Sequence, residues 1–177
     1  QHLRDTGHEV ATYASCGSIP KWWISGQKTT CGYWSRDLKG IKTSLNTSPT
    51  PIMDSLLTDI KPEIVVMEFG GNYLKTPSAD YITKDIKAFV KKIKDTGAKC
   101  LWITQPDSRS NRAEIPRVAK LIKEAVGKDC PIFESYNVTK YPATGGDGTH
   151  YWSAAGTPIA KNWAKLAFEF FTTEVSP

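Results

Sequence analysis

The feature that most constrains this chain is an alternation in which short apolar runs take turns with segments of helical period. "HEVATY" (8–13), "EIVVMEF" (63–69), "KCLWIT" (99–104) and "PIFES" (131–135) are rich in β-branched or aromatic residues and bounded by turn formers, as strands buried in a parallel sheet are. Elsewhere apolar residues recur every three or four positions, at Ile52, Leu56 and Ile60, at Ile82, Ile86, Phe89 and Ile93, at Ile115, Val118, Ile122 and Val126, and at Ile159, Trp163, Ala167 and Phe170. Each set lays one apolar stripe along a helix. Gly7 and Gly97 fall where a helix should stop and hand over to a strand, a use suited to a residue that tolerates positive φ. Repeated βαβ units predict an α/β fold, a parallel sheet covered on both faces by helices.

Nothing in the composition divides the chain, so a single domain over residues 1–177 is expected. No apolar run approaches the ~20 residues of a membrane helix, and no membrane span is expected. The start, "QHLRDTGHEV", has neither the hydrophobic stretch of a signal peptide nor an initiator methionine, and reads as processed or truncated. The net charge of +5 comes from lysines scattered along predicted helices, as in "KDIKAFVKKIK" and "AKLIKEAVGK". That is the pattern of a solvated face; nucleic-acid binding would need a concentrated basic stripe.

Residues 14–50 resist the βαβ pattern, being too long and too polar for a simple connection. Trp22, Trp23, Trp34 and a pair of cysteines argue that they form an ordered loop. The four cysteines, Cys16, Cys31, Cys100 and Cys130, include no CxxC pair and allow three pairings. Cys16 and Cys31 bracket a loop whose closure is worth ~3 kcal/mol, and Cys100 and Cys130 each adjoin a predicted strand. The favoured pairing is 16–31 with 100–130, which implies an oxidising compartment; the alternative is four buried thiols in a reducing one.

Open α/β sheets bind ligands at the carboxyl ends of their strands. After "HEVATY" comes "ASCGS" with Gly17, after "EIVVMEF" comes "GGNYL" with Gly71 and Asn72, and before the last helix comes "DGTH" with Asp147 and His150. Histidine is a natural general base and a nearby aspartate fixes its tautomer, while an asparagine amide and a glycine N–H are donors suited to an oxyanion. Each motif alone is weak, and together they make most of an ester-hydrolysing site. A metal site on Asp147 and His150 would need further ligands, and His2 and His8 lie near the far terminus, so neither metal nor cofactor is expected.

With these motifs the chain resembles the SGNH hydrolases, the GDSL-type esterases and lipases of flavodoxin-like fold. "YASCGS" looks like the family's second block, "FGGNYL" its third and "DGTHYWSAAG" its fifth, and "LRDTGHEV" is similar to the end of its first helix entering its second strand. The resemblance implies a three-layer α/β/α sandwich, an oxyanion hole from Gly17 and Asn72, His150 as base and Asp147 as its orienter. The family's first block, a strand followed by Gly-Asp-Ser with the nucleophilic serine, is missing. Either Ser15 or Ser18 replaces it, or the block lies upstream of Gln1. The second case predicts a gap beside residues 8–13, or a foreign strand there from a missing N-terminal segment or another chain.

The expected activity is that of a secreted or periplasmic serine esterase acting on a small acyl ester or an acylated glycan. Trp22 and Trp23 follow Gly17 closely enough to give a sugar a flat apolar face; packing of the long loop is their alternative role. An O-acyltransferase and a non-catalytic carbohydrate-binding relative are the competing readings. Asn46 in "NTS" and Asn137 in "NVT" are glycan acceptors only in a source that makes such glycans.

Overall fold

The computed structural model describes residues 2–175, which fall into two compact units, one ending at Lys61 and the other beginning at Pro62. In the first unit a short helix α1 (His2–Asp5) leads to strand β1 (Thr12–Ser15) and helix α2 (Pro20–Ser25). Strands β2 (Lys28–Thr29), β3 (Tyr33–Arg36), β4 (Lys42–Leu45) and β5 (Ser48–Pro49) follow, then helix α3 (Met53–Ile60). β1, β3 and β4 form an antiparallel sheet with β3 in the centre, Ser15 opposite Tyr33 and Tyr33 opposite Leu45, while β2 and β5 pair separately.

Two expectations are corrected here. Residues 8–11 are not strand; the strand begins at Thr12, and among the described residues β1 is an edge strand, paired with β3 on one side only. Residues 14–50 are not one long loop but mostly short strands and a helical turn. These strands lack the apolar alternation that announces a sheet, since "KTSL" of β4 is exposed along its whole length and β3 buries Ser35 rather than an aliphatic residue.

Local chemistry sets their register instead. Asp37 Oδ1 accepts the Ile41 N–H at 2.8 Å and Gly40 takes φ +83°, closing the turn between β3 and β4. The Cys16–Cys31 disulfide, Cα–Cα 5.5 Å, clamps the end of β1 to the start of β3, where the Cys16 N–H donates to the Gly32 carbonyl at 2.8 Å. α3 also departs from expectation: Met53 and Leu57 are buried and Ile52 is exposed, so its inward stripe is rotated by one residue.

In the second unit β6 (Ile64–Glu68), α4 (Ala79–Lys94), β7 (Lys99–Ile103), α5 (Ile115–Val126) and β8 (Ile132–Phe133) follow the predicted alternation. A four-residue helix α6 (Ser135–Val138) and the long α7 (Gly156–Val175) complete it. The three strands form a parallel sheet in the order β6-β7-β8, with Met67 opposite Trp102 and Trp102 opposite Ile132. The chain is thus mixed α/β, with a parallel sheet of three strands among the described residues.

The predicted stripes of α4 and α5 point inward, with Ile82, Ile86, Phe89, Ile93, Ile115, Val118, Ile122 and Val126 each at most 1% exposed. Each such side chain contributes roughly 1.5–3 kcal/mol on burial. α4 begins at Ser78, whose hydroxyl accepts the Tyr81 N–H at 3.2 Å, and Gly97 with φ +80° turns the chain from α4 into β7. α7 packs beside β8 through Phe170, whose ring centre is 5.5 Å from that of Phe133. The Cys100–Cys130 disulfide, Cα–Cα 4.9 Å, ties β7 to the approach of β8.

Candidate active site

Two segments of the second unit leave the carboxyl ends of the parallel strands carrying candidate residues. β6 ends at Glu68, and a turn of 3-10 helix, Gly71–Tyr73, contains Asn72. Gly70 before it takes φ +147°, and a Cβ there would stand 1.8 Å from Gln105 Oε1, so this tight approach requires glycine. Tyr73 after it is buried and its hydroxyl donates to Asp85 of α4. Gly71 and Asn72 are therefore exposed between two anchored neighbours, and a Cβ on Gly71 would meet nothing within 4 Å. The Glu68 side chain reaches solvent, yet so much protein lies around this strand end that desolvation raises its carboxyl above the ordinary range.

The second segment holds Asp147 and His150. Asp147 Oδ1 accepts the backbone N–H groups of His150 at 2.8 Å and Thr149 at 2.9 Å, while Oδ2 lies 2.6 Å from His150 Nδ1. The bond from the His150 amide, then those from its ring and from Thr149, hold the Asp147 carboxyl well below the usual carboxylate range. An ionised carboxylate on Nδ1 makes that nitrogen the proton carrier and leaves Nε2 to accept a proton. The His150 side chain is 72% exposed, so the ring has access to an external group.

Residues that the sequence does not single out hold this loop in place. Tyr141 is buried, and its hydroxyl accepts the Gly148 N–H at 3.0 Å and donates to the His150 carbonyl at 3.1 Å. Its backbone N–H donates to Asp107 Oδ2 at 2.8 Å, and the same buried carboxylate takes bonds of 2.8 and 2.6 Å from Arg112. Burial opposes the charge on Asp107, but the Arg112 bonds and the Tyr141 amide outweigh it and lower the carboxyl below its ordinary value. Ser108 Oγ and the Ser110 N–H both donate to the Gly148 carbonyl, at 3.1 and 3.2 Å.

Arg109 completes the clamp by donating to the carbonyls of Pro142, Ala143 and Gly145. The segment just after β7 is therefore the cradle of the His150 loop, and the pair sits at the ligand-binding end of the sheet. A signal for it exists: "QPDSRS" follows the strand "KCLWIT" as directly as "GGNYL" follows "EIVVMEF".

The other candidates belong to the first unit. Gly17 follows β1 with φ +75°, and a Cβ on it would lie 3.7 Å from both Cys31 Sγ and the Trp22 ring. Ser15 is buried with its hydroxyl 2.8 Å from that of Thr50, and Ser18 is buried and accepts the Trp23 indole N–H at 3.1 Å. Trp23 is itself buried and Trp22 half-buried, so Trp23 packs inward rather than presenting a face to a sugar. The structure thus joins Asp147 to His150, places Gly71 and Asn72 at the carboxyl end of the same sheet, and assigns Ser15, Gly17, Ser18, Trp22 and Trp23 to the first unit.

Both disulfides pair as expected, Cys16 with Cys31 and Cys100 with Cys130. Among the described residues no group of three or more His, Cys, Asp or Glu side chains is gathered to hold a metal ion, and no helix is long and apolar enough to cross a membrane. No family model, no curated protein and no solved structure matches the chain.

Proposed function

We propose that the protein is a carboxylic-ester hydrolase of the SGNH type that removes short acyl groups, acetyl above all, from a polysaccharide outside the cytoplasm. One observation carries this: an ionised Asp147 bonded to Nδ1 of a solvent-facing His150 at the carboxyl end of a parallel sheet. The "GGNYL" turn with Asn72 at the same sheet end, and the two disulfides, support the activity and the oxidising location. On this proposal the second unit is the later part of a flavodoxin-like three-layer sandwich.

In the mechanism a serine Oγ attacks the ester carbonyl carbon while His150 Nε2 takes its proton, and the Asn72 amide donates to the oxyanion. The intermediate collapses as His150 returns the proton to the departing sugar oxygen. Water, deprotonated by the same nitrogen, then attacks the acyl-serine, and the second intermediate collapses as His150 returns that proton to the serine Oγ and the free acid leaves. We place that serine upstream of Gln1, because Ser15 and Ser18 are buried and engaged by Thr50 and Trp23.

The test is acetate release from an O-acetylated polysaccharide by protein that includes whatever its gene encodes before Gln1. His150→Ala should lower kcat by about 10²–10⁴-fold, the usual worth of a general base, and a fluorophosphonate should label one upstream serine. Undiminished turnover in His150→Ala would refute the proposal. Acetyl transfer to an added sugar in preference to water would make the protein an acyltransferase instead.

A further inference from the structure

Trp152 is 70% exposed, more than any other large apolar side chain among the described residues. A single exposed hydrophobic residue is ordinary on a protein surface and calls for no explanation by itself. Three features set this one apart. Its indole Nε1 lies 3.5 Å from Asp147 Oδ2, the same oxygen that holds His150 Nδ1 at 2.6 Å, so the indole and the imidazole share one carboxylate. Its neighbours on both sides are anchored: Tyr151 donates its hydroxyl to the Asp107 carbonyl at 2.7 Å, and Ser153 accepts the N–H groups of Gly156 and Thr157 at 3.0 and 2.9 Å.

Gly156 approaches so closely that a Cβ on it would stand 2.9 Å from Tyr151 Cα. With Tyr151 drawn inward and the next turn closed, the chain turns Trp152 outward and keeps it there. Its exposure is thus built into the turn that begins α7, and no described apolar partner covers it.

We propose that Trp152 is the floor of a sugar subsite beside His150, against which the apolar C–H face of a pyranose ring stacks while the acyl group on a neighbouring hydroxyl reaches the imidazole. A flat aromatic ring with a polar edge suits this ligand, which has one apolar face and a rim of hydroxyls, better than an alkyl chain, which would need an enclosed groove. The subsite deepens the esterase proposal by fixing the leaving group as a sugar, and it takes over the role that the buried Trp23 does not fill. The indole N–H bond to Asp147 is a separate, positioning contribution.

The experiment measures binding of partially O-acetylated xylo-oligosaccharides by titration calorimetry, using the His150→Ala protein so that no turnover occurs. Trp152→Ala should weaken binding at least 10-fold. Trp152→Phe, which keeps a ring and loses the N–H, should stay within about 3-fold, an order-of-magnitude expectation for retained aromatic contact. Both variants should melt at the parent temperature because the side chain is exposed.

In the active protein, Trp152→Ala should raise KM for the acetylated oligosaccharide about 10-fold, and Trp152→Phe, which keeps the ring, should hold it within about 3-fold of the parent value. Absence of oligosaccharide binding by the parent, or equal binding by Trp152→Ala, overturns the subsite whatever the catalytic result. Binding that depends on Trp152 without any ester turnover upholds the subsite and removes the esterase proposal instead.

Discussion

Replacing Tyr141 with phenylalanine isolates the contact on which the His150 loop most depends. The hydroxyl accepts from the Gly148 N–H at 3.0 Å and donates to the His150 carbonyl at 3.1 Å, so one atom fixes the loop on both sides of Thr149. The two losses are unequal. His150 is exposed and water can replace the lost donor at its carbonyl, whereas Gly148 is buried and its N–H would be left without an acceptor. An unsatisfied buried donor costs about 1–3 kcal/mol, so local opening of the loop should become about 5- to 150-fold more populated in Tyr141→Phe.

Amide hydrogen exchange read residue by residue measures that population. The Gly148 amide should exchange faster by this factor, while the Trp102 amide, bonded to the Pro131 carbonyl at 2.9 Å within the sheet, should not change. An unchanged Gly148 rate would show that Ser108 and Ser110, which hold the Gly148 carbonyl, suffice to keep the loop closed, and would refute the role given to Tyr141. Acceleration at Trp102 as well would show loss of global stability rather than of loop anchoring. On the proposed function the same variant should lower kcat more than it raises KM, because it disturbs the base and not the sugar contact.

Two further outcomes follow from the geometry. Gly70→Ala meets Gln105 Oε1 and a disfavoured φ together and should cost roughly 1–3 kcal/mol in urea unfolding, while Gly71→Ala, with open space around it, should stay within about 0.5 kcal/mol. Equal effects would mean that the turn before Asn72 is not held as described. Replacing both cysteines of a bridge by alanine should cost about 3 kcal/mol for the 15-residue separation of Cys16 and Cys31 and about 3.5 kcal/mol for the 30-residue separation of Cys100 and Cys130; unchanged unfolding midpoints would exclude loop closure as the source of their stabilisation.

What could be read in advance follows from the range over which each feature is encoded. The stripes of α4 and α5 are legible because a helix repeats every 3.6 residues and one apolar face must leave water. The strands of the parallel sheet are legible as short β-branched and aromatic runs bounded by turn formers, although β6 buries only Met67 and leaves Val66 and Glu68 exposed. The Asp147–His150 pair is legible for the same reason of locality, since an aspartate three residues before a histidine bonds both its backbone and its ring. The strands between residues 14 and 50 carry no such signature, because a turn at Asp37–Gly40 and a disulfide pair them rather than an apolar face. Tertiary structure alone decides that Tyr141 anchors Gly148, that Asp107 is bonded by the Tyr141 amide 34 residues later and by its side chain to Arg112, and that Trp152 faces water while Trp23 does not. Hydrogen bonds and burial across such distances depend on how separate segments meet, and no local period in the chain records that meeting.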